Sequence, residues 1–176
     1  MIESCYWKSD LLRYAKALSP QKKPRRWSEK YQVNTEKDII LAFFIVRKLA
    51  ESNKFSPTTN NHKLKIYRSP CITTINNRNY WDIQEGYDLS SEEEISKNHK
   101  FVSNQLIHGG ATFAYQAKDR NWEGIYTCSD FERQKYIYKI PLSEIVSFLK
   151  IAGDDYPSSA SWTYNKQTQD YDIIVK

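Results

Sequence analysis

The strongest constraint in this sequence is one uninterrupted apolar octet, Ile39-Ile40-Leu41-Ala42-Phe43-Phe44-Ile45-Val46, preceded by Glu36 and Asp38 and followed by Arg47 and Lys48. Anions before and cations after suit the macrodipole of a helix. Asn34 or Thr35 supplies a side chain able to cap its first turn. Eight consecutive apolar residues cover the whole circumference of a helix, so this element belongs inside a core or against a partner. The run is far short of the roughly 20 residues that cross a bilayer, and no membrane contact is expected.

A buried helix needs other layers to cover it. The 176 residues include 13 Tyr, 7 Phe and 5 Trp. That is enough apolar surface to offset the entropy of ordering, and such a length suits one domain that buries roughly 70% of its unfolded surface. A single domain over residues 1–176 is expected, without repeats or a dividing linker.

A first helix is expected from Ser9 or Asp10 through Leu11, Leu12, Tyr14, Ala15 and Leu18, stopping before Pro20. Residues 64–68 read as a strand, and the Asn-rich stretch 76–79 as a turn. The acidic segment 81–96 is expected to hold one helical turn capped by Ser90 or Ser91, with Glu92, Glu93 and Glu94 near its start. Residues 101–107, 111–116, 123–128 and 135–140 then read as successive strands whose short polar links dictate antiparallel pairing. Pro141 opens a helix through Leu142, Ile145, Val146, Phe148 and Leu149, with Gly153 placed to cap its end. Residues 160–164 and 171–175 form a last hairpin. The fold class is therefore α+β: a mostly antiparallel sheet, made of a C-terminal meander and hairpin, packed with two or three helices.

Several chemistries are excluded by spacing. The five glycines, Gly86, Gly109, Gly110, Gly124 and Gly153, never cluster into a phosphate-cradling loop, so no nucleotide cofactor is expected. Cys5, Cys71 and Cys128 are odd in number and far apart, and His62, His99 and His108 lack metal-ligand spacing. Neither a disulfide framework nor a metal is expected. Free thiols and an N-terminus without an apolar leader segment point to the cytoplasm.

The net charge of +5 hides a division. Residues 1–80 hold 16 Lys/Arg against 6 Asp/Glu, whereas residues 81–96 hold six acids and no base. The most basic piece is a proline-containing loop around 19–30, in which Lys22, Lys23, Arg25 and Arg26 can meet phosphates and Trp27 can stack on an unpaired base. Tyr31, Trp7 and Tyr14 are further candidates for stacking. The plainer account is a solvated loop with Trp27 tucked into the core.

The other unusual string is Asn104-Gln105-Leu106-Ile107-His108-Gly109-Gly110. On a strand, Asn104 and His108 share one face and Gln105 takes the other. Histidine exchanges protons near neutral pH and amides steady a developing anion, so a small hydrolase or ribonuclease can be written around His108, Asn104 and Gln105, with Asp130 or Glu132 brought in by folding. A structural account competes: these groups satisfy the backbone at a strand end and the glycine pair makes a turn. Asp170 and Asp172 share a strand face and can hold a hard cation, or merely form a solvated surface. The reading favoured by the sequence is a non-catalytic binding domain whose basic first half engages nucleic acid or an acidic protein. The hydrolase and a homo-oligomer subunit, the latter associating through its Tyr and Trp residues, are the alternatives.

Overall fold

Helix α2 spans Glu29–Glu51 and carries the octet into the core: Ile39, Ala42, Phe43, Ile45, Val46 and Leu49 are all buried. The structure is a computed structural model that describes residues 3–19, 28–116 and 122–175. The helix begins earlier than the caps Asn34 and Thr35 suggested, after Ser28. Nothing between Glu29 and Gln32 breaks a helix, and Thr35 satisfies its hydroxyl inside it by donating to the Tyr31 carbonyl at 2.9 Å. Helix α1, Ser4–Leu18, also starts early, because its first turns hold no Pro or Gly and its buried residues Lys8, Leu11, Ala15 and Leu18 recur at helical spacing. Asp10 is not a cap; it pairs with Arg13 at 2.8 Å.

A short helix α3, Pro57–Asn61, leads into strand β1, Lys63–Pro70. Beyond it lie the turn at 76–79, a one-turn helix α4, Ile83–Gly86, and a 3-10 turn at Leu89–Ser91. Asp88, rather than a serine, caps that turn by accepting the Ser90 N–H at 3.0 Å. Glu93 and Glu94 then enter a strand instead of a helix: β2, Glu93–Asn98, pairs antiparallel with β1 along Lys63↔Asn98 to Arg68↔Glu93. Opposite charges across the ladder explain the outcome, since Arg68 Nε donates to Glu93 Oε2 at 2.7 Å.

The expected strand at 101–107 is instead helix α5, His99–Ile107. Asn98 caps it by accepting the Phe101 N–H at 3.0 Å, and the buried residues Val102, Ser103, Gln105 and Leu106 follow helical spacing, not alternation. The meander that follows is as expected: β3 Ala111–Gln116, β4 Trp122–Cys128 and β5 Tyr136–Pro141. Helix α6, Leu142–Asp154, continues directly from β5, and the hairpin β6 Ala160–Asn165 with β7 Asp170–Val175 closes the chain. Gly153 is not the cap of α6. It lies inside the last turn, where a Cβ would press on Leu12 and on the Lys8 carbonyl, so it permits α6 to approach α1 closely.

The architecture is α+β. The main sheet has the order β2-β1-β5-β4-β3, antiparallel at every step, while β6 and β7 form a separate two-stranded sheet. Among the described residues helices α1, α2, α5 and α6 pack with the sheet, α5 being the segment 101–107 that was expected as a strand. The principal core combines residues of α1, α2, α5 and α6 with Leu64, Ile66, Ile125, Tyr138 and Ile140 of the sheet. Residues 71–91 cover part of the opposite face, where Ile75, Tyr87 and Ile137 form a second, smaller core. Among the described residues no helix is long and apolar enough to cross a membrane.

Candidate functional site

Helix α5 does bring Asn104 and His108 together, through its i, i+4 register and not through a strand. Arg47 of α2 reaches both: its Nη1 lies 3.4 Å from Asn104 Oδ1 and 3.4 Å from His108 Nε2. Gln105 points the other way. It is buried, and its Oε1 accepts the Ser129 N–H at 2.8 Å, which ties α5 to the end of β4. The carboxylates proposed for this cluster are directed elsewhere: Asp130 faces Arg133 at 3.4 Å, and Glu132 accepts the Tyr138 O–H at 2.8 Å. Only the backbone N–H of Asp130 meets the histidine, donating to its carbonyl at 3.1 Å. His108 thus has the Arg47 guanidinium, and no carboxylate, as its side-chain hydrogen-bond neighbour among the described residues.

Lys22, Lys23, Arg25, Arg26 and Trp27 lie outside the described residues. The helices that flank them place the exposed cations Lys16 and Lys30 at either end of that segment. Asp172 accepts from the Asn165 amide at 3.1 Å, and Asp170 accepts the Tyr171 N–H at 2.7 Å. No group of three metal-ligating side chains occurs among the described residues.

Two features were not located by the sequence reading. The first is the outer face of α2. One helix cannot bury a full circumference, and besides Tyr31 the large apolar residues of α2 left outside are Val33, Leu41 and Phe44, with 51%, 42% and 43% of their surface exposed. Lys30, Lys37 and Lys48 are exposed on the same stripe, and Lys48 Nζ lies 5.8 Å from the Phe44 ring centre. Glu51 is the acid at its C-terminal end and is already engaged, 2.8 Å from Arg47 and 3.4 Å from Lys48.

The second is a cleft between the turn at 76–79 and the turn after β4, with a volume of about 270 Å³. Ile75, Tyr80, Tyr87 and Cys128 make its apolar part, and Asn77, Asp130 and Arg133 bring polar groups. Burial drives the Tyr87 phenol and the Cys128 thiol up from their ordinary pKa values. Burial thus disfavours the Cys128 thiolate, the nucleophilic form. No signal in the sequence places residues 75–87 beside 128–133; they meet only because β1 pairs with β5.

A third cluster, on the open face of the sheet, is closed on itself. Lys139 Nζ lies 5.3 Å from the ring centres of both Tyr67 and Tyr115 and 3.2 Å from Glu92. No family model, no curated protein and no solved structure matches the chain.

Proposed function

We propose that this chain is a non-catalytic binding domain whose basic half uses the outer face of α2 to engage an acidic, amphipathic segment of a protein partner. The observation that carries the reading is the mixture of Val33, Leu41 and Phe44 with Lys30, Lys37 and Lys48 on one helical stripe. Val33 and Leu41 add little to a phosphate backbone, which is met by cations and polar groups. Against an acidic amphipathic helix both kinds of residue are used: apolar anchors at helical spacing fill the seam and lysines meet the flanking carboxylates. Covering what remains exposed of Leu41 and Phe44 contributes about 1 kcal/mol each. A second copy docked by two-fold symmetry would set these lysines against one another, so an acidic partner fits better.

The test is fluorescence anisotropy with a labelled helical peptide carrying Glu and Leu at heptad spacing, alongside single-stranded RNA and duplex DNA, at two salt concentrations. Peptide binding should weaken with salt and fall about thirtyfold in the Leu41→Ser, Phe44→Ser double variant. Undiminished peptide affinity in that variant overturns the reading. So does nucleic-acid binding that disappears with Arg25→Ala and Arg26→Ala, which would move the function to the basic segment.

A further inference from the structure

The cleft between the turn at 76–79 and the turn after β4 is independent of the α2 face, and its polar groups are incompletely used. Its two banks are fixed to each other: the Ile75 N–H donates to Gln134 Oε1 at 3.2 Å, and Gln134 Nε2 donates back to the Ile75 carbonyl. Tyr87 holds the turn from beneath by donating its O–H to the Arg133 carbonyl at 2.9 Å. The walls are therefore set before any ligand arrives, which lowers the entropic cost of binding.

Arg133 is held loosely within this rigid frame. Only its Nη1 has neighbours, Asn77 Oδ1 and Asp130 Oδ1, each at 3.4 Å. Charge-assisted hydrogen bonds close to roughly 2.7–2.9 Å, so neither contact is a strong one. The Nε and Nη2 edge, the fork that takes a carboxylate with two bonds, has no partner among the described residues. Asp130 is largely exposed beside it, with one oxygen uncommitted. A guanidinium and a carboxylate 3.4 Å apart at the rim of a partly apolar cleft are complementary to a ligand that carries both charges on neighbouring atoms.

We infer that this cleft binds a free α-amino acid with an apolar side chain. The carboxylate meets the open edge of Arg133, the ammonium meets Asp130, and the side chain fills the space bounded by Ile75, Tyr80 and Tyr87. The volume of 270 Å³ suits a ligand of that size. It falls just below the roughly 300–1,000 Å³ of sites that take larger cofactors or drug-sized molecules. A purely anionic ligand would face repulsion from Asp130, and a purely cationic one from Arg133.

Calorimetric titration with L-phenylalanine and L-leucine tests this, with 3-phenylpropionate and 2-phenylethylamine as analogues lacking one charge. Saturable binding of the amino acids is expected, each analogue binding about tenfold more weakly because one charged hydrogen-bonding group is lost. Arg133→Gln and Asp130→Asn should each weaken L-phenylalanine about tenfold while the melting temperature stays constant, since both side chains sit on the rim. Absence of saturable binding at millimolar concentration overturns the inference. Equal affinity in the variants, or equal affinity for the analogues, overturns it as well. None of these outcomes bears on α2, whose substitutions leave the cleft intact.

Discussion

Lys8 is a cation inside the protein, with 1% of its surface exposed, and removing it tests the reasoning about what joins α1 to the rest of the fold. Its Nζ donates to the Lys54 carbonyl at 2.9 Å and also to the Asp155 carbonyl. It lies 4.5 Å from the Tyr156 ring centre and 5.9 Å from that of Phe55. Two carbonyls, one before α3 and one at the end of α6, thus share a single ammonium. Lys8→Met keeps the length of the side chain and deletes both donors. Each stranded carbonyl costs about 1–3 kcal/mol, and relief of the ammonium's desolvation returns part of it, leaving a net loss of about 2–3 kcal/mol. Lys8→Ala should lose about 1–2 kcal/mol more, from the cavity. Urea unfolding followed by far-ultraviolet circular dichroism gives both values.

The pH dependence supplies a separate check. Burial lowers the pKa of Lys8 in the folded protein below its ordinary value of 10.5. Between the lowered value and 10.5 the unfolded chain binds more protons than the folded one, so stability rises with pH through that window. Lys8→Met lacks this gain. The stability gap between wild type and Lys8→Met should therefore widen as pH is raised toward 10.5. A gap that narrows, or a methionine variant as stable as wild type at neutral pH, would refute the account.

Gln105→Ala should lower stability by about 1–3 kcal/mol, because it strands the buried Ser129 N–H, whereas His108→Ala, exposed and next to Arg47, should change the melting temperature little. Equal losses in thermal denaturation would show that the two groups act as one unit. Native alkylation followed by mass spectrometry should modify the exposed Cys5 first and the buried Cys128 last, with Cys128 reacting only as the protein opens. Gly109→Ala should destabilise by several kcal/mol, since its Cβ would collide with the backbone carbonyls of Gln105 and Cys128, and a melting curve will show it. Ending the chain at Ser158 should alter the unfolding midpoint of the remainder little, because among the described residues β6 and β7 pair as strands only with each other and leave Trp162, Tyr164, Tyr171 and Ile174 exposed.

Much of the architecture could be read from local pattern. The octet placed α2 in the core, and the spacing of Leu142, Ile145, Phe148 and Leu149 after Pro141 specified α6. The short links between β3, β4 and β5 required antiparallel neighbours, and they have them. Residues 101–107 misled because Val and Ile read equally well as strand, while the decisive signal, the cap Asn98, lay just outside the segment. The acidic run misled for another reason. Glu93 and Glu94 became a strand because β1 offered cations and an open ladder, a preference that exists only between elements.

Periodicity, caps and turn chemistry act over a few residues, so the sequence by itself determined helices α1, α2 and α6, the strands of the meander, and that the class is α+β. It also determined that one helix carries more apolar surface than a single core-facing side can hide. Which apolar residues stay outside was decided by tertiary packing: Phe43 and Val46 are enclosed in the principal core, Phe43 stacking on Phe148 of α6, whereas Leu41 and Phe44 stay partly exposed. The same packing sealed Lys8 between two carbonyls, turned Gln105 away from His108, and set Arg133 beside Asn77, residues that are distant in the chain. Such juxtapositions depend on strand order and on the faces that helices present to one another, and these arise from the joint burial of all the apolar surface at once.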